Sequence, residues 1–150
     1  MTDEEVVARQ IGRKPRAFAR VAVRCPFGRP AVTEQVPFDA DGKPFPTQFY
    51  VTCPSLVAGI SRLEAAGGVE HWSRAAQEDE SLARSLADAQ AEQRRVRPEI
   101  DAGIGGSTRT GSLKCLHAHA AFALARPGYE LGERILAEVE PQWPERCCSQ

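Results

Sequence analysis

Two β-type stretches in the first third of the chain each end on a Cys-Pro pair, and this repeated ending most constrains the fold. Residues 19–24 alternate apolar and basic side chains with the period of a half-buried strand. Residues 48–53 are rich in aromatic and β-branched side chains. Because proline lacks the amide proton that a central strand donates, each strand must end before Pro26 or Pro54. With a further strand over residues 31–38, the pattern predicts a small antiparallel sheet.

Helical spacing dominates the rest of the sequence. Apolar residues recur with helical period over 54–66 and 69–95, and residues 113–126 form an alanine-rich run without glycine or proline. A last short helix is expected over 131–139. We therefore predict an α+β fold, in which a small antiparallel β-sheet from the N-terminal third packs against a helical C-terminal two-thirds.

The length of 150 residues suits one domain with its own core. Residues 1–16 are highly charged and are expected to form a flexible N-terminal arm. The α+β domain would then span residues 17–140. A proline-punctuated tail that carries two cysteines follows at 141–150.

The charge balance argues against a nucleic-acid partner, because 19 basic and 20 acidic residues leave a net charge of −1. An acidic N-terminus and an odd count of five cysteines favour a cytoplasmic protein with reduced thiols. The sequence contains no apolar run of the about 18 residues that a membrane span requires. We expect a metal or a small anionic ligand as the partner, and a protein partner on helix 69–95 remains open.

Cys115, His117 and His119 lie within five residues and form the main candidate site. In a helix that starts at Leu113, Cys115 and His119 share a face and His117 points away from it. An irregular first turn would instead let all three side chains converge. A thiolate and an imidazole together suit zinc, iron or copper.

Further metal ligands must come from distant parts of the chain. Cys25 and Cys53 are natural candidates because both follow strand ends, and Cys147 or Cys148 in the tail would add another thiolate. The preferred hypothesis is a metal site that contains Cys25, Cys53 and Cys115, completed by His119 or a tail cysteine. Zinc is the first choice, and an iron–sulfur cluster is the alternative because its ligands are thiolates.

A glycine-rich loop precedes this cluster and suggests a site for an anion. Its glycines allow close approach of a ligand, and nearby basic side chains add positive charge. The loop lacks the residue pattern of the familiar nucleotide-binding motifs. The candidate binding residues are Gly105, Gly106, Ser107, Arg109 and Lys114.

Two other interpretations use the same residues. In one, Cys115 is the nucleophile of an enzyme that acts on a small anionic substrate, with His119 or, from another element, His71 as its base. In the other, the cysteines belong to the core and helix 69–95 is a non-catalytic interaction surface.

Six short segments together resemble a bacterial family of uncharacterised proteins, DUF501. The resemblance extends over about residues 18–148, and its most specific part is the Lys-Cys-Leu-His-Ala-His run at 114–119. It implies a small cytosolic protein and assigns no reaction. The segments that carry it are 24–28, 44–47, 52–54, 61–64, 103–106 and 114–119.

Overall fold

The sheet has three antiparallel strands in the order β1-β2-β3. They are β1 (Phe18–Arg24), β2 (Pro30–Gln35) and β3 (Phe49–Val51). The computed structural model describes residues 1–108 and 113–148. Within that part the helices are α1 (Asp3–Ile11), α2 (Pro54–Ala65), α3 (Gly68–Glu78), α4 (Glu80–Val96), α5 (Leu116–Ala125) and α6 (Glu130–Ala137), with a 3₁₀ turn at Ile104–Gly106. The predicted α+β fold is confirmed.

Both Cys-Pro pairs stand where a strand gives way to another element. After β1, the Cys25 carbonyl accepts a hydrogen bond from the Gly28 amide at 2.9 Å, which closes the turn into β2. After β3, Cys53 is the N-cap of α2 and Pro54 is its first residue. Proline suits this position because its missing amide proton has no acceptor there.

The N-terminal segment, for which the sequence predicts a flexible arm, contains the capped helix α1. Thr2 and Glu5 form a reciprocal capping box at its start. Val7 is buried against the domain, and the Gln10 side-chain amide donates to the Pro30 carbonyl at 2.8 Å. These contacts attach α1 to the sheet.

The prediction of one continuous helix over 69–95 is wrong, because the chain breaks at Asp79. This residue is extended, and its carboxylate accepts hydrogen bonds from the amides of Ser81 and Leu82 at 2.9 and 3.2 Å. Asp79 therefore ends α3 and caps α4. The apolar side chains of both helices face the core, namely Trp72, Ala76, Leu82, Leu86 and Ala89.

Helix α5 is the central element and begins three residues later than the sequence predicts. Lys114 has φ of 64°, and the Cys115 amide donates to the Leu113 carbonyl at 2.6 Å, so a tight γ-type turn replaces the first helical turn. From Leu116 onward α5 packs against β3 and α6. Most of its side chains are buried on all sides: Leu116, Ala118, His119, Ala120, Ala121, Phe122 and Ala123.

In the part of the chain that the structure covers, no helix has the length and apolar character needed to cross a bilayer.

Candidate functional site

A cleft of about 590 Å³ opens between α1, β3, α2 and the start of α5. Its walls are mostly apolar, with a few polar groups, as is usual for small-molecule sites. Side chains that line it include Tyr50, Pro54, Val57, Ser61, Cys115 and His117.

Glu64, Cys115 and His117 meet beside this cleft. Glu64 lies near the end of α2, whereas Cys115 is the N-cap of α5 and His117 follows in its first turn. The His117 Nδ1 atom is 3.2 Å from the Glu64 carboxylate and 3.8 Å from the Cys115 sulfur. All three ligand-type atoms lie within 4.8 Å of one another, and no other His, Cys, Asp or Glu group of three does so among the residues described.

Backbone geometry determines the orientation of the His117 ring. Its Nε2 atom lies 3.3 Å from the Val57 carbonyl oxygen and 3.1 Å from the Ser61 hydroxyl. A carbonyl oxygen can only accept, so Nε2 carries a proton. Nδ1 is then the nitrogen that faces Glu64 and Cys115.

The surroundings of His117 favour its protonated form. The hydrogen bond with Cys115 and the nearby Glu64 carboxylate raise the pKa of His117, and these effects outweigh the opposing effect of burial. The side chain is 24% exposed, so solvent and small ions can reach it.

Glu64 also joins the two helices of the site. Its carboxylate accepts a hydrogen bond from the Leu116 amide at 2.8 Å, at the first residue of α5. Such a bond satisfies one of the amides that a helix start leaves without a partner. Sequence reasoning did not select Glu64 as a site residue, because a carboxylate near the end of an amphipathic helix resembles any solvated residue. The available signal was its place in segment 61–64, one of those that carry the family resemblance.

Residues 21–101, more than half of the chain, match the family model described as "Protein of unknown function (DUF501)". The chain belongs to the DUF501 family. The resemblance to this family is thereby confirmed over residues 21–101, which contain four of the six segments. No curated protein and no solved structure matches the chain.

In this DUF501 protein the expected pairing of Cys115 with His119 is wrong. Cys115 is extended and lies outside the helix, so the two side chains do not share a face. His119 is buried in the core, where Nε2 lies 2.9 Å from the Leu113 carbonyl and Nδ1 lies 2.7 Å from the Tyr129 hydroxyl. Both ring nitrogens are therefore engaged, and burial lowers the pKa of His119 to about 4.

The other expected ligands do not join the Cys115 cluster. Cys25 is partly buried in the β1–β2 turn and packs against the core. Cys53 is buried at the start of α2, with its sulfur 3.8 Å from that of Cys148. Cys147 is partly buried in the tail.

The glycine loop differs from the expected anion site in its connection to α5. Gly105 and Gly106 adopt positive φ angles, a conformation that glycine reaches without steric cost. However, α5 starts only at Leu116, and Glu64 already occupies that helix's first amide. Ser107 is buried and Lys114 is exposed, whereas Arg109 lies outside the described residues. Anion binding stays a prediction.

Proposed function

We propose that this DUF501 protein binds a zinc ion through Glu64, Cys115 and Nδ1 of His117, with a fourth coordination position that faces the cleft. One observation carries the proposal: the thiol and the carboxylate approach the same nitrogen of His117. In a catalytic triad, by contrast, the nucleophile and the orienting acid contact opposite nitrogens of the imidazole. Convergence on one nitrogen supports the metal hypothesis, because an ion at that point would be within reach of all three side chains.

The distances agree with tetrahedral zinc. Bonds of about 2.0 Å to nitrogen and oxygen and about 2.3 Å to sulfur place nitrogen and oxygen ligands about 3.3 Å apart, and nitrogen and sulfur about 3.5 Å apart. The corresponding distances here are 3.2 Å and 3.8 Å. The Glu64 oxygen and the Cys115 sulfur lie within 4.8 Å of each other, and zinc binding would draw them closer together.

Groups behind two of the three ligands, His117 and Glu64, already hold them in place. The hydrogen bond from His117 Nε2 to the Val57 carbonyl fixes the tautomer whose Nδ1 lone pair is available, once that nitrogen loses its proton. The Leu116 amide holds the Glu64 carboxylate. Such outer partners raise metal affinity by about tenfold to a hundredfold.

Three protein ligands leave one position for water or a substrate atom, as in catalytic rather than purely structural zinc sites. Bound there, zinc would lower the pKa of water or polarise a carbonyl group. Val57 and Tyr50 supply apolar and aromatic surface for the body of a small substrate. An iron–sulfur cluster is disfavoured, because the group contains one thiol and clusters are held by several.

Zinc titration of metal-free protein against a chromophoric chelator tests the proposal. We expect one equivalent to bind, and we expect Cys115→Ser, His117→Gln and Glu64→Gln each to weaken binding by at least about tenfold. Cys25→Ser and His71→Gln are the matched controls, because they remove a thiol and an imidazole outside the cluster. Binding of less than about a tenth of an equivalent, or wild-type affinity in all three variants, would contradict the assignment.

A second candidate function is an enzyme with Cys115 as its nucleophile. It is favoured by the raised pKa of His117, because an imidazolium stabilises a neighbouring thiolate, and by the position of Cys115 at the start of α5. The thiolate sulfur would form a bond to a carbonyl carbon of a small anionic substrate in the cleft, while the electron pair of the C=O π bond moves to the oxygen. His117, not His119, would be its partner.

Iodoacetamide labelling separates the two functions. The nucleophile hypothesis predicts that Cys115 of metal-free protein reacts faster than Cys25 at neutral pH, and that His117→Gln slows it. Labelling of Cys115 no faster than that of Cys25 would count against it. The zinc hypothesis predicts that one equivalent of zinc protects Cys115 alone.

A further inference from the structure

We propose that Cys53 and Cys148 form a reversible dithiol–disulfide pair that fastens the C-terminal tail to the start of α2. The proposal concerns a second site and does not depend on zinc binding. Neither thiol belongs to the Glu64–Cys115–His117 group.

The two sulfurs are already in contact. They lie 3.8 Å apart although 95 residues separate them in the sequence, so the fold brings the tail to this point. A disulfide bond requires a sulfur separation of about 2.05 Å, which small rotations of the side chains and a shift of the short tail would supply. Cys147, the immediate neighbour in the sequence, has no such sulfur contact with Cys53 among the hydrogen bonds of the described residues.

The two thiols differ in their exposure to solvent, as the reactive and the resolving thiol of a redox pair do. Cys148 is exposed at the surface, whereas Cys53 is 3% exposed at the N-cap of α2. Burial, and the neighbouring Cys148 thiol, raise the pKa of Cys53. An oxidant from solution therefore meets Cys148 first.

Oxidation by a small disulfide proceeds by two exchanges. The Cys148 thiolate attacks one sulfur of the disulfide R–S–S–R, forms a mixed disulfide and releases one thiolate R–S⁻. Cys53 then loses its proton to solvent and attacks the Cys148 sulfur, which forms the Cys53–Cys148 bond and releases the second R–S⁻. The two protein thiols are oxidised, and one small disulfide is reduced to two thiols.

The bond would fix the tail beside a second cavity of about 240 Å³ that Cys148 borders together with Arg9 and Pro54. It would close a loop over residues 53–148, about two-thirds of the chain, and long loops are those that a cross-link stabilises most. We expect the midpoint of thermal unfolding to rise by several degrees on oxidation and to return when a reductant is added.

The test is incubation of the reduced full chain with oxidised glutathione, followed by alkylation and non-reducing mass spectrometry. We expect a monomer that has lost two hydrogen atoms and contains no bound glutathione. Cleavage after both arginine and glutamate separates Cys25 from Cys53, because Glu34 lies between them. The tail fragment should then be linked to the fragment that contains Cys53.

Single substitutions assign the tail thiol. Cys148→Ser changes an exposed residue and should abolish the cross-link, whereas Cys147→Ser should preserve it at the wild-type rate. Accumulation of the mixed disulfide without an internal bond would overturn the proposal, as would a link through Cys25 or Cys147. Repeating the oxidation with zinc present should leave the outcome unchanged.

Discussion

The two histidines of α5 make the same kind of contact through Nε2 and differ in the groups that face Nδ1. Each has Nε2 directed at a backbone carbonyl, that of Val57 for His117 and that of Leu113 for His119. In His119 the Tyr129 hydroxyl then donates to Nδ1 inside the core. In His117 the same atom faces a carboxylate and a thiol at the edge of a cleft. One histidine is therefore structural, and the other is available for chemistry.

Buried His119 should make the fold sensitive to mild acid. Its pKa falls from an ordinary 6.5 to about 4, so between these values the unfolded chain binds a proton that the folded chain does not. The stability that this histidine contributes is complete above pH 6.5 and is lost as the pH falls toward 4, by at most about 3 kcal/mol. Urea unfolding at a series of pH values measures this loss.

His119→Gln removes the titrating group and His71→Gln, at an exposed position, is its control. The difference in unfolding free energy between the wild type and His119→Gln should narrow as the pH falls from 6.5 to 4. Parallel stability curves over that interval would show that His119 is not the group responsible.

At the scale of elements, the site depends on where helices begin and end. The turn at Lys114 places Cys115 outside α5, and Glu64 of α2 then binds the first amide of that helix. Helix α5 is held in turn by α6 and β3. The three proposed ligands therefore stand on α2 and at the start of α5 rather than on the glycine loop, and the packing of these helices limits their motion.

Removal of the helix cap between α3 and α4 should lower the free energy of unfolding. Asp79→Ala removes the carboxylate that caps α4, and we expect it to destabilise the protein by about 1 kcal/mol. Asp88→Ala, which removes an exposed carboxylate inside α4, should have a much smaller effect. Denaturant titrations of the two variants compare them, and equal stabilities would refute the capping role.

At the scale of the whole molecule, local patterns predicted the architecture but not the site. The alternation of apolar and basic side chains and the Cys-Pro pairs located the strands. Proline ends a strand whatever the surrounding tertiary structure. The start of α5 was missed because lysine seldom adopts a positive φ, so nothing in the sequence marks the turn at Lys114. Glu64 meets Cys115 and His117 because α2 and α5, which are far apart in the sequence, pack together in the tertiary structure.

The cysteines illustrate the same limit. The sequence paired Cys115 with His119, but the histidine that contacts it in the structure is His117. Cys53 was expected beside Cys115 and instead contacts Cys148. The two Cys-Pro strand ends predict similar local structure at Cys25 and Cys53. Which sulfur atoms lie in contact is determined by how the helices pack.

X-ray absorption at the zinc edge of protein loaded with one equivalent of zinc tests the central claim most directly. The account predicts a single sulfur ligand at about 2.3 Å and the remaining ligands, nitrogen or oxygen, at about 2.0 Å. Cys115→Ser should remove the sulfur contribution, and Cys53→Ser should retain it. A spectrum without sulfur, or with two or more sulfur ligands, would contradict a site formed by Glu64, Cys115 and His117.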